Sequence, residues 1–212
     1  MVVSTRGLVT WSGRTADGEA MLVSTFLTPG SQVNIHQMLA SYRASILGSI
    51  TLPATGPLTA SFDWLRVGGP GRVYASGFPL HSLAVAGELY TPTTTAFMPG
   101  LGSSSPNATI SFTNAGLVGF GAQLFIAKNG GVTIIAPDPD AKLTSLKFNT
   151  ANGTFTGSIM GVNPMLRWPA VSISGVVLPS QSKGAGYFLR PVATTGQTWL
   201  TAPINSGSVV IQ

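Results

Sequence analysis

The sequence predicts an all-β protein, an antiparallel barrel or sandwich of about a dozen short strands. Three observations carry this. Apolar and polar residues alternate with period two in many short runs, as in Ala108-Thr109-Ile110-Ser111-Phe112-Thr113, which puts one set on each face of a strand. The 26 Gly and 15 Pro fall between these runs and form no low-complexity tract, as turns do in a chain of many strands. Hairpin chemistry recurs at Ala16-Asp17-Gly18, Lys128-Asn129-Gly130-Gly131 and Ala151-Asn152-Gly153, where Asn-Gly and Asp-Gly supply the positive φ of tight turns.

In chain order, strands are expected at Leu8–Arg14, Ala20–Leu27, Ser31–Met38, Ser45–Leu52, Leu58–Arg66 and Leu83–Tyr90 in the first half. Ala108–Thr113, Gly121–Ala127, Val132–Ala136, Leu143–Thr150, Thr154–Met160, Val171–Leu178, Gly186–Arg190 and Ser208–Ile211 follow. The clearest hairpin joins Leu143–Thr150 to Thr154–Met160 across Ala151-Asn152-Gly153. Val33–Tyr42 is the one stretch that also suits a helix.

Leu58-Thr59-Ala60-Ser61-Phe62 echoes Phe155-Thr156-Gly157-Ser158-Ile159. Val85-Ala86-Gly87-Glu88-Leu89 likewise echoes Ile173-Ser174-Gly175-Val176-Val177. The expected organisation is a first β half over 1–92, a Thr/Ser/Pro/Gly-rich connector over 93–105 and a second β half over 106–212, two related halves in one compact unit.

Composition narrows the function classes. Hydrophobic residues make up 44% of the 212-residue chain, and charged residues 8%, against roughly 25% charged in ordinary soluble domains. Disorder is not expected. No apolar run approaches the ~18 residues of a membrane helix. An outer-membrane barrel is disfavoured by the lack of aromatic girdles and by the non-aromatic end Val209-Val210-Ile211-Gln212. With no Cys, thiolate nucleophiles, disulfides and Cys-based zinc sites are excluded. The net charge of +5 comes from scattered residues with no Lys/Arg-rich run, so no specific nucleic-acid partner is expected. The start, Met1-Val2-Val3-Ser4-Thr5-Arg6, lacks a signal-peptide pattern. The chain is therefore read either as trimmed or as excised from a longer secreted parent.

The order of several motifs is recognisable. Gly7-Leu8-Val9-Thr10-Trp11-Ser12-Gly13-Arg14-Thr15-Ala16-Asp17-Gly18 comes first, followed by Ala44-Ser45-Ile46-Leu47-Gly48-Ser49-Ile50-Thr51. Gly153-Thr154-Phe155-Thr156-Gly157-Ser158, Ser174-Gly175-Val176-Val177-Leu178, Gly184-Ala185-Gly186-Tyr187-Phe188-Leu189 and Ser206-Gly207-Ser208-Val209 complete the series. This series resembles a β-rich domain near the C-terminus of large secreted multidomain proteins of environmental, verrucomicrobial-type bacteria. The chain departs from that pattern at Asn163-Pro164-Met165, where the family has a more polar hairpin. The resemblance implies a secreted or cell-surface location within a longer protein, and it supplies no activity or catalytic residues to carry over.

The chain's carboxylates and histidines are few: Asp17, Glu19, Asp63, Glu88, Asp138, Asp140, His36 and His81. Most precede residue 90, so an active site is expected in the first half if one exists. Asp63 and Glu88 can form a carboxylate pair that divides acid and base roles, although a strand carboxylate more often faces solvent or pairs with an arginine such as Arg66 or Arg72. His36 and His81 with a carboxylate can activate a hydroxyl or hold a metal. Neither lies in a His-Glu-x-x-His motif, and no Gly-x-Ser-x-Gly elbow occurs. Asp138-Pro139-Asp140 offers two oxygen ligands to calcium, too few to fill its shell. Trp11, Trp64, Trp168 and Trp199, with Tyr42, Tyr74, Tyr90 and Tyr187, can supply a sugar-stacking surface. Trp168 and Trp199, each beside Pro or a turn, are the expected exposed ones. Gly116-x-x-Gly119-x-Gly121 has the wrong spacing for a phosphate loop. The expected function is a non-catalytic extracellular binding or structural module, for attachment to polysaccharide or a cell-envelope component. The alternative is a hydrolase of unfamiliar geometry acting on an ester, lactone or glycoside through His36, Asp63, His81 and Glu88.

Overall fold

A computed structural model describes residues 1–39, 43–92, 96–162 and 168–212. Tyr42 and the Asn163-Pro164-Met165 departure lie outside the described residues. The protein is nearly all β, with antiparallel sheets and no α-helix among the described residues. No helix among them is long and apolar enough to cross a membrane. Two compact units divide at Leu89 and Tyr90.

The first unit holds β1 (Val2–Val3), β2 (Leu8–Arg14), β3 (Ala20–Phe26), β4 (Gln32–Leu39), β5 (Ala44–Thr51), β6 (Pro57–Val67) and β7 (Gly77–Glu88). They form a three-stranded sheet, β1-β2-β3, and a four-stranded sheet, β4-β5-β6-β7. The stretch over which a helix was the alternative is a strand in its described part, because Val33, Ile35 and Leu39 are buried and the residues between them are more exposed. That is a strand's period and not a helix's. Val9, Met21, Ile35, Ile46, Ile50, Phe62 and Trp64 are among the residues of the core. The side chain of Gln37 bridges the sheets by accepting the Leu22 N–H at 3.1 Å.

The second unit holds β8 (Ala108–Asn114), β9 (Leu117–Ile126), β10 (Val132–Ala136), β11 (Ala141–Asn149), β12 (Thr154–Gly161), β13 (Val171–Leu178), β14 (Lys183–Pro191) and β15 (Ile204–Ile211). These make a nearly closed, barrel-like eight-stranded sheet in the order β10-β9-β8-β15-β14-β13-β12-β11. The expected hairpin is β11 with β12, in register from Asn149 opposite Thr154. The last strand, β15, sits between β8 and β14. Phe112, Leu124, Phe155, Ile173, Phe188, Val209 and Ile211 fill the interior.

The echo has a structural counterpart in each unit. Leu58 pairs with Gly87 and Ala60 with Val85 between β6 and β7. Phe155 pairs with Gly175 and Gly157 with Ile173 between β12 and β13. Equivalent residues therefore take the same register.

Aromatic packing explains several glycines. Phe62 lies opposite Gly48, Phe155 opposite Gly175 and Phe188 opposite Gly207. In each pair a Cβ on the glycine would overlap the phenylalanine ring. The ring thus occupies the space above its cross-strand glycine and covers backbone that would otherwise be left unpacked.

Candidate functional site

The four residues expected to converge do not. His36 on β4 pairs with Leu47 on β5, Leu47 with Asp63 on β6, and Asp63 with Ser82 on β7. The row lies on the face opposite buried Phe62 and Trp64. Asp63 Oδ1 accepts the Ser82 hydroxyl at 2.6 Å, but two strand spacings, about 10 Å, separate His36 from Asp63, with Leu47 between. His81 pairs with Trp64 and so points to the other face, where its ring is 5.5 Å from that of Phe78. Glu88 pairs with Pro57, six residues along from the Asp63–Ser82 pair and so about 20 Å away. That exceeds the roughly 5–9.5 Å of a glycosidase carboxylate pair. Period and register, which fix face and distance, separate residues that are merely close in sequence.

The ion pair involving Arg66 uses a different carboxylate. Arg66 pairs with Asp17, whose side chain is fully buried, and donates to the Val73 carbonyl at 3.3 Å. Asp17 also accepts the Thr15 hydroxyl and, at 3.4 Å, the Glu19 N–H. The β2–β3 turn is thereby tied to β6.

The acidic turn is tied to backbone N–H groups. Asp138 Oδ1 accepts the N–H groups of Asp140 and Ala141 at 2.8 and 3.1 Å, and Oδ2 that of Gly121 at 3.2 Å. Both oxygens thus bind the backbone beside the seam between β10 and β11. Among the described residues no group of three or more His, Asp or Glu side chains is placed to hold a metal.

Trp168 is buried, at 5% exposure, which corrects its expected place on a stacking surface. It belongs to the hydrophobic core of the second unit; beside it the Arg190 guanidinium lies 4.8 Å from the Trp168 ring centroid and donates to the Ala115 carbonyl at 2.7 Å. Arg190 is itself 9% exposed, and burial lowers its pKa from the ordinary value. Among the described residues no carboxylate is within ion-pair distance of it, and its Nε has no acceptor. Ala115 and Gly116 form the β8–β9 turn with positive φ, so the arginine braces a conformation that is costly for alanine. Arg190→Lys is expected to lower stability by about 1–2 kcal/mol, because an ammonium keeps the charge but loses the planar stack. Urea denaturation followed by tryptophan fluorescence checks this. Trp199 is 47% exposed, as expected.

Sequence reading missed the outer face of the second unit. Register aligns Lys147, Thr156, Ser174, Tyr187, Ser208 and Thr113 in one row across β11, β12, β13, β14, β15 and β8. A shallow groove over β11–β13 is lined by Ser145, Lys147, Thr156, Ser172 and Ser174. A second, over β8 and β9, is mostly apolar in its lining, with Phe120 and Ala136 beside Thr109, Ser111 and Thr113. Hydroxyls both donate and accept, so the groove over β11–β13 suits a hydroxyl-rich ligand. The signal in the sequence is Ser or Thr at alternate positions of several strands. No family model, no curated protein and no solved structure matches this chain.

Proposed function

We propose that the chain is a non-catalytic extracellular β module that attaches a longer parent protein to polysaccharide or another cell-envelope component. The observation that supports this best is the row from Lys147 to Thr113, which offers hydroxyls from successive strands and one cation on a single face. Low overall charge, the high Gly content and the resemblance to terminal domains of secreted bacterial proteins agree with it. Binding by such a surface relies on several modest hydrogen bonds, each worth about 1 kcal/mol.

Pull-down on a panel of insoluble glycans and envelope fractions tests the proposal. Saturable retention is expected, with affinity reduced at least about tenfold in the variant Lys147→Ala/Thr156→Ala/Ser174→Ala, a loss of ~1.4 kcal/mol or more. Trp199→Ala reports whether the exposed indole contributes. Retention on none of these materials, or retention unchanged in the triple variant, would overturn the proposed surface.

A further inference from the structure

We infer that the polysaccharide taken by the outer face of the second unit is an acidic one. Its carboxylate or sulfate groups meet Lys142 and Lys147, and its neutral hydroxyls lie against the Ser and Thr side chains beside them. This rests on the binding role proposed above and names the class of ligand. The charge of the chain is unevenly divided. The second unit holds six Lys and Arg against two Asp, so it carries +4 of the net +5. Within its eight strands the charged residues are Lys142, Lys147, Lys183 and Arg190, all cationic. Asp138 and Asp140 lie in the turn before β11, and both Asp138 oxygens already accept backbone N–H groups.

A bulge in β11 brings the two lysines to one face. Lys142 and Lys147 are an odd number of residues apart, which puts side chains on opposite faces of a regular strand. The register shift between Leu143 and Ser145 inserts one residue, and such a bulge re-aims the side chains beyond it. Lys142 therefore stands opposite Met160 and Lys147 opposite Thr156, an even spacing on β12 and so one face. The same shift turns both Leu143 and Leu146 into the core, at 2% and 8% exposure. Both lysines are exposed, and among the described residues neither forms an ion pair. The residues outside the described ones include no Asp or Glu.

The spacing selects the ligand. The lysines stand about 13 Å apart along the strand, farther than a single sugar ring reaches. Between them lies the row Ser145, Ser158 and Ser172, and beside Lys147 lie Thr156 and Ser174. A polymer whose charges are separated by neutral, hydroxyl-bearing rings matches this pattern, with a charge-assisted hydrogen bond at each ammonium group. A neutral glycan on the same path would cover both ammonium groups without offering them a counter-charge. Nucleic acid presents a charge at every nucleotide and is held by basic grooves with aromatic rings for its bases. Among the described residues lining the β11–β13 groove, Lys147 is the one cation and none is aromatic.

Calorimetric titration of the whole chain with polygalacturonate and dextran sulfate is the test, against their neutral counterparts, methyl-esterified polygalacturonate and dextran, and against single-stranded DNA. At least one acidic glycan is expected to bind at least tenfold more tightly than its neutral counterpart, and the tighter of the two identifies carboxylate or sulfate as the group held. Lys142→Gln and Lys147→Gln should each weaken that binding about threefold, and the double variant about tenfold, the scale of exposed ion pairs. Lys147→Arg should retain it. Lys128→Gln, in the β9–β10 turn, makes the same change in net charge and should leave binding and the melting transition unchanged. Equal affinity for acidic and neutral glycans, with Thr156→Ala/Ser174→Ala weakening both, overturns the acidic class and leaves the binding surface standing. No binding to either acidic glycan also overturns it, and retention on other envelope fractions would then leave the attachment role intact. DNA bound as tightly as the acidic glycan, with the same dependence on Lys147, overturns the choice of polysaccharide. Equal losses in Lys128→Gln and Lys147→Gln overturn the site, since net charge alone would then account for binding.

Discussion

Gly175→Ala is expected to destabilise the protein by about 3 kcal/mol, because overpacking a filled interior costs about 1–3 kcal/mol and occasionally more. The methyl group would enter space held by the Phe155 ring and approach the Ala185 carbonyl oxygen. Ring movement cannot relieve the second contact, since it is with backbone. Gly87, which takes the same place opposite Leu58 that Gly175 takes opposite Phe155, is the internal control. A Cβ there meets only Leu58, at 3.8 Å, an ordinary contact. Gly87→Ala should therefore be neutral, or stabilising by about 0.4–1 kcal/mol through reduced freedom of the unfolded chain. Urea denaturation of both variants checks the contrast. Equal effects would show that backbone conformation, and not the ring, accounts for the glycine.

This contrast also shows what the sequence made legible. Strand positions are local, and β2, β10 and β13 have the limits expected from alternation and turns. The start of β7 was missed because Gly77-Phe78-Pro79-Leu80 reads as a turn, whereas the strand accommodates Pro79 at a bulge in its pairing with β6. The candidate site depended on facts that are not local. His36 and Asp63 reach one face only through the pairing of β4, β5 and β6, and the same register puts His81 on the other. Trp168 looked exposed beside Pro169, but it packs into the core of the second unit with Arg190 of β14 beside its ring, contacts that no spacing rule reveals. The hydroxyl row was present in the alternation of the individual strands, and only their order aligned it.

The Asp17–Arg66 contact should be the most costly polar interaction in the first unit to break. Arg66→Met removes the cation and leaves the Asp17 carboxylate buried with the Thr15 hydroxyl and the Glu19 N–H as donors. Removing one partner of a buried pair typically costs about 3–5 kcal/mol, because the remaining charge has lost both water and counterion. Asp17→Asn leaves the guanidinium, which is 12% exposed, better able to recover hydration, so its cost should be smaller. The double variant Asp17→Asn/Arg66→Met should be more stable than Arg66→Met alone, since the unpaired carboxylate is gone. That order distinguishes a desolvated pair from two unrelated packing residues, whose costs would add. High salt should change the wild-type value little, because screening acts weakly on buried charges. Denaturation of the three variants and the wild type at low and high sodium chloride measures both points. Additive costs, or a large loss on adding salt, would mean that the turn is held to β6 by shape and not by charge.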